Sequence, residues 1–336
     1  MKQYAELTSR GQARRLRKLV IVALGQYALD VADVRLVGMH TNALFRVRTM
    51  QGKSYLVRVC KPGWRTETDL FSEIAWLRAL DRDTDIGAPL PLAARSGEFV
   101  VCAGAEGVPE ARRCVVTSWV PGVLLGRRLN EANLYKMGAL FARLHTHGAT
   151  FSPPEGFTRR KMDRIFARGE EDVLFDAACL ASLPPRPREI LEQTRQRVDA
   201  AFARLYADPA GLRVIHNDLW HDNIKIDRGR LRPLDFEDTV WGYPVQDLAM
   251  GLQDLMSDVA PEAFEPLQDA LRRGYESQSE WPEAYAGEID TFRAGRMVWV
   301  TNYVARFQAR YLQAHAEWVA PQLEQYLETG ILRKGR

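Results

Sequence analysis

Three of the polar side chains in one loop of the sequence, between two short apolar stretches, could do chemistry together with a fourth that follows the next apolar stretch. The three are His216, Asp218 and Asn223, and the fourth is Asp235. Asn223 and Asp235 offer amide and carboxylate oxygen atoms, the hard ligands that Mg²⁺ prefers. Asp218 offers a carboxylate that can orient a hydroxyl group or accept its proton. These residue types therefore predict a magnesium site beside a general base.

The spacing of the four residues, H-x-D-x-x-x-x-N followed by D-F, is typical of enzymes that transfer a phosphoryl group on a kinase fold. Such a transfer needs little covalent help from the protein. It needs metal ions that neutralise charge between the phosphates and an acceptor hydroxyl held in line. A single Asp or Asn at such a place would be read as a turn residue. Four polar residues of these types at this spacing between predicted strands indicate a phosphoryl-transfer site.

The elements that must position this site divide the sequence into two parts. Pro121-Gly122 is a strong breaker, so we predict an N-terminal lobe over residues 1–121 and a C-terminal lobe over 122–336. The predicted fold class is α+β, a bilobal protein-kinase-like fold with a small β-rich N-lobe and a larger, mostly helical C-lobe. Strands are predicted at 36–38, 44–48, 54–59, 98–102, 114–119, 214–215, 224–226 and 232–234. Helices are predicted near 14–24, at 67–80, 134–145 and 189–206 and in several segments after 245, and the prolines at 184–187 are predicted to form a loop.

The composition is that of an ordinary globular chain. Of 336 residues, 46% are hydrophobic and 26% are charged, which excludes a disordered, collagen-like or coiled-coil protein. The net charge of +3 argues against binding to nucleic acid or to a membrane surface. Four scattered cysteines without C-x-x-C spacing argue against a zinc site and fit a reducing compartment, so we expect a cytoplasmic protein. The apolar run at 19–24 is read as part of an amphipathic helix rather than as a secretory signal.

Beyond single residues, the sequence resembles the aminoglycoside phosphotransferase and choline kinase superfamily, whose members are related to protein kinases. The resemblance covers residues 34–308 and is carried by VTSWVPG at 116–122, LFARLH at 140–145, HNDLWHDN at 216–223, DFED at 235–238 and GYPVQDLA at 242–249. It implies that Asp218 is the catalytic base, that Asn223 and Asp235 hold Mg²⁺, and that ATP is the phosphoryl donor. It also implies structural roles for His216 and Asp247.

The same resemblance assigns nucleotide binding to the N-terminal part. The turn at 38–45, which contains Asn42, would cover the phosphates although it lacks G-x-G-x-x-G. Arg58 stands where the phosphate-binding lysine is usual, and Glu73 on the following helix is its expected partner. Arginine keeps the positive charge but replaces a point ammonium by a planar fork. The backbone groups expected at the adenine edge are those of Ser118, Trp119 and Val120.

The segment after Asp235 is too short for a regulated activation loop. Glu237 replaces the glycine of D-F-G, and no A-P-E follows before Gly242 and Pro244. We therefore expect a permanently assembled site, as in kinases of small molecules.

The acceptor site is expected to involve residues 150–208 and the C-terminal helices, as in the superfamily. Acidic residues near the catalytic loop would suit a cationic acceptor such as an aminoglycoside or choline, or else face solvent; they are Asp222, Glu237, Asp238 and Asp254. Trp299, Tyr303 and Phe307 recur at i, i+4 and i+8 and are predicted to lie in the core. Neighbouring residues that could face the acceptor are Arg296, Asn302 and Arg306.

Three functions fit these observations. The first is an ATP- and Mg²⁺-dependent kinase whose partner is a small hydroxyl-bearing molecule such as an aminoglycoside, homoserine, choline or a sugar. The second is a Ser/Thr protein kinase of the bacterial stress-response type, since Gln246-Asp247-Leu248 and the segment 293–298 resemble it. The third is a nucleotide-binding scaffold, suggested by Arg58. The intact Asp218, Asn223 and Asp235 argue against the third. The sequence does not indicate an oligomeric state.

Overall fold

The computed structural model describes residues 3–334, which form two compact units. The first unit contains the chain up to Gly122 and the short segments Pro153–Thr158 and Arg232–Glu237. The second unit contains the remaining residues, 123–152, 159–231 and those from 238 onward. The break after Gly122 falls one residue beyond the boundary predicted from Pro121-Gly122.

The first unit is built on a five-stranded antiparallel sheet with the strand order β1-β2-β3-β5-β4. Its strands are β1 (Val31–Met39), β2 (Ala43–Thr49), β3 (Ser54–Val59), β4 (Val100–Ala103) and β5 (Arg112–Ser118). Its helices are α1 (Ser9–Leu24) and α2 (Glu67–Asp83). Thr66 caps α2, since its hydroxyl accepts the N–H of Asp69 while the Asp69 side chain accepts the N–H of Thr66.

The two helices pack with different sets of sheet residues. Leu19 and Val20 of α1 belong to a buried cluster with Val57 and Val116, whereas Leu70 and Ile74 of α2 pack against Val115. Successive residues of a strand point to opposite faces, so the helices cover opposite faces of the sheet. Arg58, which follows Val57, therefore points to the face of α2.

Two short segments from beyond Gly122 join the first unit because their residues pack on α2. The ring of Phe236 meets Trp76 edge-on, with the ring centres 5.3 Å apart. The N–H of Thr158 donates to the Ser72 hydroxyl at 2.7 Å. The predicted boundary assigned both segments to the C-terminal lobe, because nothing in their sequence indicates that they pack on α2. Asp235 consequently belongs to the first unit.

The second unit consists mainly of helices with short strand pairs. The helices are α3 (Glu131–Thr150), α4 (Ala177–Ala181), α5 (Pro185–Leu205), α6 (Pro244–Asp258), α7 (Pro261–Glu276), α8 (Glu288–Phe307) and α9 (Leu312–Thr329). The strands are β6 (Val123–Leu124), β7 (Arg213–Ile215), β8 (Ile224–Asp227), β9 (Arg230–Pro233), which crosses the boundary at Leu231, and β10 (Val240–Gly242). β7 pairs with β10, and β6 pairs with β8, both antiparallel.

Most of the elements lie where the sequence predicted them, and the α+β kinase-like fold is confirmed. The predicted loop at 184–187 is wrong, because α5 begins at Pro185. Proline is tolerated in the first turn of a helix, where its missing N–H would have had no partner. Among the described residues, no helix is both long and apolar enough to cross a lipid bilayer.

Helices α3 and α7 approach each other closely through two glycines. A Cβ atom added to Gly138 would lie 1.8 Å from the Leu271 carbonyl oxygen, and one added to Gly274 would lie 1.8 Å from the Tyr135 carbonyl oxygen. Real side chains do not reach such distances, so the sequence must keep glycine here for the helices to touch. α3 carries His145 into the interior of this unit, so the contact also supports the candidate site.

We expect Gly274→Ala to lower the free energy of unfolding by about 3 kcal/mol, because the two helices must move apart to accommodate the methyl group. Urea denaturation followed by far-UV circular dichroism measures this. Gly104→Ala is the control, since the added Cβ would meet nothing within 4 Å and Gly104 does not have a left-handed backbone. Equal stability of the two variants would contradict the close contact.

Candidate active site

Asp218 lies in the polar loop that follows β7. Val214 and Ile215 are fully buried and pair with β10, which fixes where the loop begins. Asn217 then takes a left-handed backbone conformation, with φ of 63°. Such a conformation is uncommon for residues other than glycine but is tolerated by asparagine, and it turns the chain sharply before Asp218. The strand pairing and this turn together fix the position of the Asp218 backbone.

A buried carboxylate, Asp247 in the first turn of α6, holds this loop. Its oxygens accept the backbone N–H groups of Asn217 at 2.7 Å and His216 at 3.3 Å. The same carboxylate contacts Nε2 of His145 at 3.1 Å, and Nδ1 of His145 contacts the hydroxyl of Tyr275. Asp247 thus anchors the loop, and His145 lies in a buried network. This geometry agrees with the structural role expected for Asp247.

Asn223 fixes the orientation of Asp218. Its amide nitrogen donates to the Asp218 backbone oxygen at 2.8 Å and to carboxylate Oδ2 at 2.9 Å. The Asp218 N–H in turn meets Nδ1 of His216 at 3.3 Å. Because the nitrogen of Asn223 points to Asp218, the amide oxygen is the atom that a cation would bind. The structure therefore brings two of the predicted site residues together in the second unit.

Arg168 is a site residue that the sequence analysis did not identify. Its guanidinium donates to the Asn217 carbonyl at 2.6 Å, pairs with Asp238 at 2.6 Å and lies 4.0 Å from Oδ1 of Asp218. Burial, followed by the negative charge of Asp238, raises the pKa of Asp218 above its ordinary range, against the lowering effect of Arg168 and Arg296. A raised pKa makes the carboxylate a better proton acceptor near neutral pH. Nothing in the sequence around Arg168 marks it apart from neighbouring arginines.

The predicted partners Arg58 and Glu73 form a buried ion pair in the first unit. Both nitrogens of the Arg58 fork meet the two Glu73 oxygens, one of them at 2.9 Å. The two side chains are 10% and 5% exposed. Glu237 adds a second carboxylate 3.8 Å from the same guanidinium. Arg58 is thus held rigidly, with its planar fork matched to one carboxylate.

Asn42 is bonded to the segment that carries Asp235. Its amide nitrogen donates to Oε2 of Glu237 at 2.6 Å, and its side-chain oxygen accepts the N–H of Lys61 at 3.1 Å. The Trp64 indole N–H approaches Oε1 of Glu237 at 3.4 Å. The turn between β1 and β2 is therefore tied to the D-F-E segment. Glu237 replaces the glycine of D-F-G and fills this role, which the sequence did not reveal.

A double-mutant cycle tests this connection. We expect Asn42→Ala and Glu237→Ala to show a coupling energy of about 1.5 kcal/mol in urea unfolding. Each single variant already removes the hydrogen bond to the charged carboxylate, so the double variant does not lose it a second time. Gln51 and Asp30 are a matched control, since they form an amide–carboxylate contact at 3.3 Å on the exposed surface of the same unit. If the coupling energy between Asn42 and Glu237 were as small as that between Gln51 and Asp30, other contacts would hold the turn.

Asp235 stands in a strained backbone conformation, with φ of 57°, and its side chain is exposed. Left-handed residues of this kind persist where the surrounding structure holds them, as Phe236 does here by packing on Trp76. Asp235 is therefore fixed by contacts within the first unit, while its own side chain remains exposed.

Of the three residues expected at the adenine edge, Ser118 is the last residue of β5, and Trp119 and Val120 follow it directly. The N–H of Ser118 donates to the Leu90 carbonyl at 2.8 Å, and the N–H of Trp119 donates to the Ser54 carbonyl at 3.2 Å. The Trp119 ring lies against the guanidinium of Arg46, 4.5 Å from the ring centre, as a packing residue would. A role at the adenine edge thus depends on the carbonyl groups of these two residues and on Val120.

The donor atoms present suit Mg²⁺ when phosphates complete its coordination. Within residues 3–334, no group of three or more His, Cys, Asp and Glu side chains could hold a metal ion alone. Mg²⁺ is commonly bound by one or two protein oxygens together with substrate phosphates and water. Each unit offers one ligand of this type: the carboxylate of Asp235 in the first unit and the amide oxygen of Asn223 in the second.

The acidic residues that the sequence suggested for a cationic acceptor mostly have cationic partners already. Asp238 pairs with Arg168 at 2.6 Å, and Asp254 meets Arg296 at 3.5 Å. Glu237 is engaged within the first unit, as described above. This geometry therefore gives little support to the expectation that acidic side chains bind a cationic acceptor.

Of the polar residues on α8, Asn302 has a structural role. It is buried, its side-chain oxygen accepts the N–H groups of Val173 and Leu174, and its nitrogen donates to the Glu171 carbonyl. Asn302 thus ties the segment after Arg168 to the helix.

Comparison with known proteins identifies the family. The sequence matches the phosphotransferase enzyme family over residues 34–285, about three quarters of the chain. The chain belongs to this family, within the aminoglycoside phosphotransferase and choline kinase superfamily, and is therefore a kinase that acts on a hydroxyl acceptor. Among curated proteins, no sequence is similar enough to match.

Several solved structures share the fold at low sequence identity. A microcompartment-associated aminopropanol kinase has a TM-score of 0.77 and 21% identity, covering 94% of this chain and 99% of its own. The amicoumacin kinase hAmiN, solved with AMP-PNP, Ca²⁺ and Ami, has a TM-score of 0.76 and 17% identity, covering 97% and 98%. A choline/ethanolamine kinase family protein from Mesorhizobium loti has a TM-score of 0.62 and 18% identity, covering 95% of both chains.

Proposed function

We propose that the protein transfers the γ-phosphate of ATP to a hydroxyl group of a small molecule in a reaction that requires Mg²⁺. The observation that carries the proposal is the geometry of Asp218. Its carboxylate is oriented by Asn223, approached by Arg168 and carried by a loop that Asp247 anchors. A general base needs this combination of a fixed position and a raised pKa.

The reaction follows from these residues. Asp218 orients the acceptor hydroxyl and takes its proton while the hydroxyl oxygen bonds to the γ-phosphorus. The bond from that phosphorus to the bridging oxygen breaks, and ADP leaves. Bound Mg²⁺, held by Asn223 and Asp235, would neutralise charge between the phosphates.

We assign ATP binding to the first unit. Arg58, fixed by Glu73, would bind phosphate oxygens, and the turn with Asn42 would cover them. Ser118, Trp119 and Val120 would contact the adenine. Support comes from the rigidity of Arg58 and from the link of Asn42 to the segment of Asp235, because a rigid site loses little entropy when a ligand binds.

The test is to incubate the protein with labelled ATP, with and without Mg²⁺, against aminoglycosides, amino alcohols, homoserine, choline and sugars, and against generic protein substrates. We expect label on a small molecule, and none when EDTA removes the metal. Label on protein alone would favour the Ser/Thr protein kinase. ATP binding without transfer to any acceptor would favour a nucleotide-binding scaffold.

A further inference from the structure

Three aromatic residues form a continuous row on one side of α8, which we call the aromatic ladder: Trp299, Tyr303 and Phe307. The rings of Trp299 and Tyr303 are stacked, with centres 6.0 Å apart and planes at 20°. The rings of Tyr303 and Phe307 lie 4.9 Å apart. Residues four apart on a helix share one face, so the spacing in the sequence produces this row.

The ladder is exposed, which contradicts the prediction that it belongs to the core. Tyr303 is 44% exposed and Phe307 is 60% exposed, while Trp299 is partly covered. The buried side of α8 is formed instead by smaller neighbours such as Val298 and Ala305. Periodicity alone could not tell which of two apolar faces turns inward. Adjacent aromatic rings left in water are typical of surfaces that bind a ligand or partner.

The ladder begins beside the catalytic loop. The Arg168 guanidinium, which lies 4.0 Å from Asp218, is 5.9 Å from the centre of the Trp299 ring. The Arg296 guanidinium lies 4.2 Å from the same ring centre. From Trp299 the ladder runs eight residues, about 12 Å along α8. One end is thus a single side chain away from the base, and the other end extends into solvent.

The first ring of the ladder is fixed before any ligand binds. The Trp299 indole N–H donates to Oε1 of Glu170 at 2.8 Å, and the other oxygen of Glu170 accepts the N–H of Arg168 at 2.8 Å. One carboxylate thus sets both the Trp299 ring and the backbone of the arginine beside Asp218. Preorganised rings bind a flat group with a smaller loss of entropy than mobile ones.

The charges beside the ladder favour an uncharged group over a cation. Arg168 and Arg296 already lie at the Trp299 ring, and each is paired with a carboxylate, Asp238 and Asp254 respectively. An ammonium group there would compete with two arginines for the same ring and the same carboxylates. An apolar or aromatic group can instead contact the exposed parts of Tyr303 and Phe307 without breaking either ion pair.

We propose that the phosphoryl acceptor carries an apolar, flat tail that lies on the aromatic ladder while its hydroxyl group reaches Asp218. This inference rests on the proposed kinase function and narrows its substrate to alcohols with an aryl or similar hydrophobic extension. Polycationic and small, fully polar acceptors lack the group that the ladder binds.

The experiment uses two parallel series of 1-amino-2-alkanols, one ending in methyl and one in phenyl, with chains lengthened one methylene at a time. Binding to the full-length protein is measured by titration calorimetry, and transfer from Mg²⁺-ATP is measured for each compound. We expect a phenyl-ended member of suitable length to bind about tenfold more tightly than its methyl-ended counterpart, since aromatic contacts of this size supply about 1.4 kcal/mol.

Two variants locate the effect. Tyr303→Ala and Phe307→Ala should each remove most of the phenyl preference and raise KM for phenyl-ended acceptors, with kcat nearly unchanged. Trp318→Ala is the control, because Trp318 is 56% exposed on α9, outside the ladder. The preference should survive in the control variant.

Equal binding of the two series, or a preference that survives both ladder variants, overturns the inference. Transfer to methyl-ended or polar acceptors without any phenyl preference keeps the kinase function and overturns the ladder as acceptor site. Phenyl-selective binding without transfer to any compound contradicts the proposed transfer to small alcohols, and with it the acceptor role of the ladder. A dimer that Phe307→Ala converts to monomer, with unchanged acceptor selectivity, would make the ladder a contact between two copies and likewise overturn the inference.

Discussion

Asp218→Asn is expected to lower kcat for ATP-dependent phosphoryl transfer by about a thousandfold, because the amide keeps the shape of the side chain but cannot accept the hydroxyl proton. The Kd for ATP should change little, since nucleotide binding is assigned to the first unit. Initial rates with a labelled acceptor and titration calorimetry with ATP measure the two quantities separately.

The matched control is Asp269→Asn, which makes the same change at an exposed position of α7. It should leave the rate and the Kd unchanged. If Asp218→Asn retained a rate within about threefold of wild type, less than the smallest effect expected of a general base, the assignment of the base would be wrong.

The second large effect is expected at Arg58. Arg58→Met should lower the free energy of unfolding by about 3–5 kcal/mol, because Glu73 would remain buried without its cation. Arg58→Lys should cost less, since a charge remains while the two-pronged contact is lost. Urea denaturation of the apo protein gives these values without reference to activity.

Two further variants check the cause. In Arg58→Met combined with Glu73→Leu, both charges of the buried pair are removed, so most of the lost stability should return. Arg186 and Glu324 form a similar two-pronged pair on the exposed surface, and Arg186→Met should leave stability nearly unchanged. If Arg58→Met were as stable as Arg186→Met, burial would not govern the pair.

The elements of this fold could be predicted well because they depend on local patterns. β3 occupies 54–59, the range predicted from its β-rich sequence, and α2 begins at Glu67 behind its Thr66 cap. The four residues of the phosphoryl-transfer pattern could also be found, because strands and turns fix their spacing along the chain.

Features that depend on tertiary contacts could not be predicted. Arg168 is one arginine among several in an irregular segment, and only the fold brings it to Asp218. Glu237 could be read as a ligand for a cationic acceptor, yet it binds Asn42 because its segment packs on α2. The ladder at Trp299, Tyr303 and Phe307 has the period of a core stripe, and its exposure depends on which face α8 turns to its neighbours.

The electrostatics of the catalytic loop likewise emerge only in three dimensions. Asp238 and Asp254 are acidic residues in the sequence, but their pairing with Arg168 and Arg296 neutralises them. A substrate argument from acidic composition would favour a cation, whereas the paired charges and exposed rings favour an apolar tail.

The most direct test of the central claim is mass-spectrometric detection of a phosphorylated alcohol after incubation with Mg²⁺-ATP, comparing wild type with Asp218→Asn. We predict that wild type forms the phosphate monoester and ADP in equal amounts and that the variant forms about a thousandfold less of both in the same time. Equal amounts of product from both proteins, or ADP without any phosphorylated alcohol, would contradict the claim that Asp218 directs an acceptor hydroxyl to the γ-phosphate.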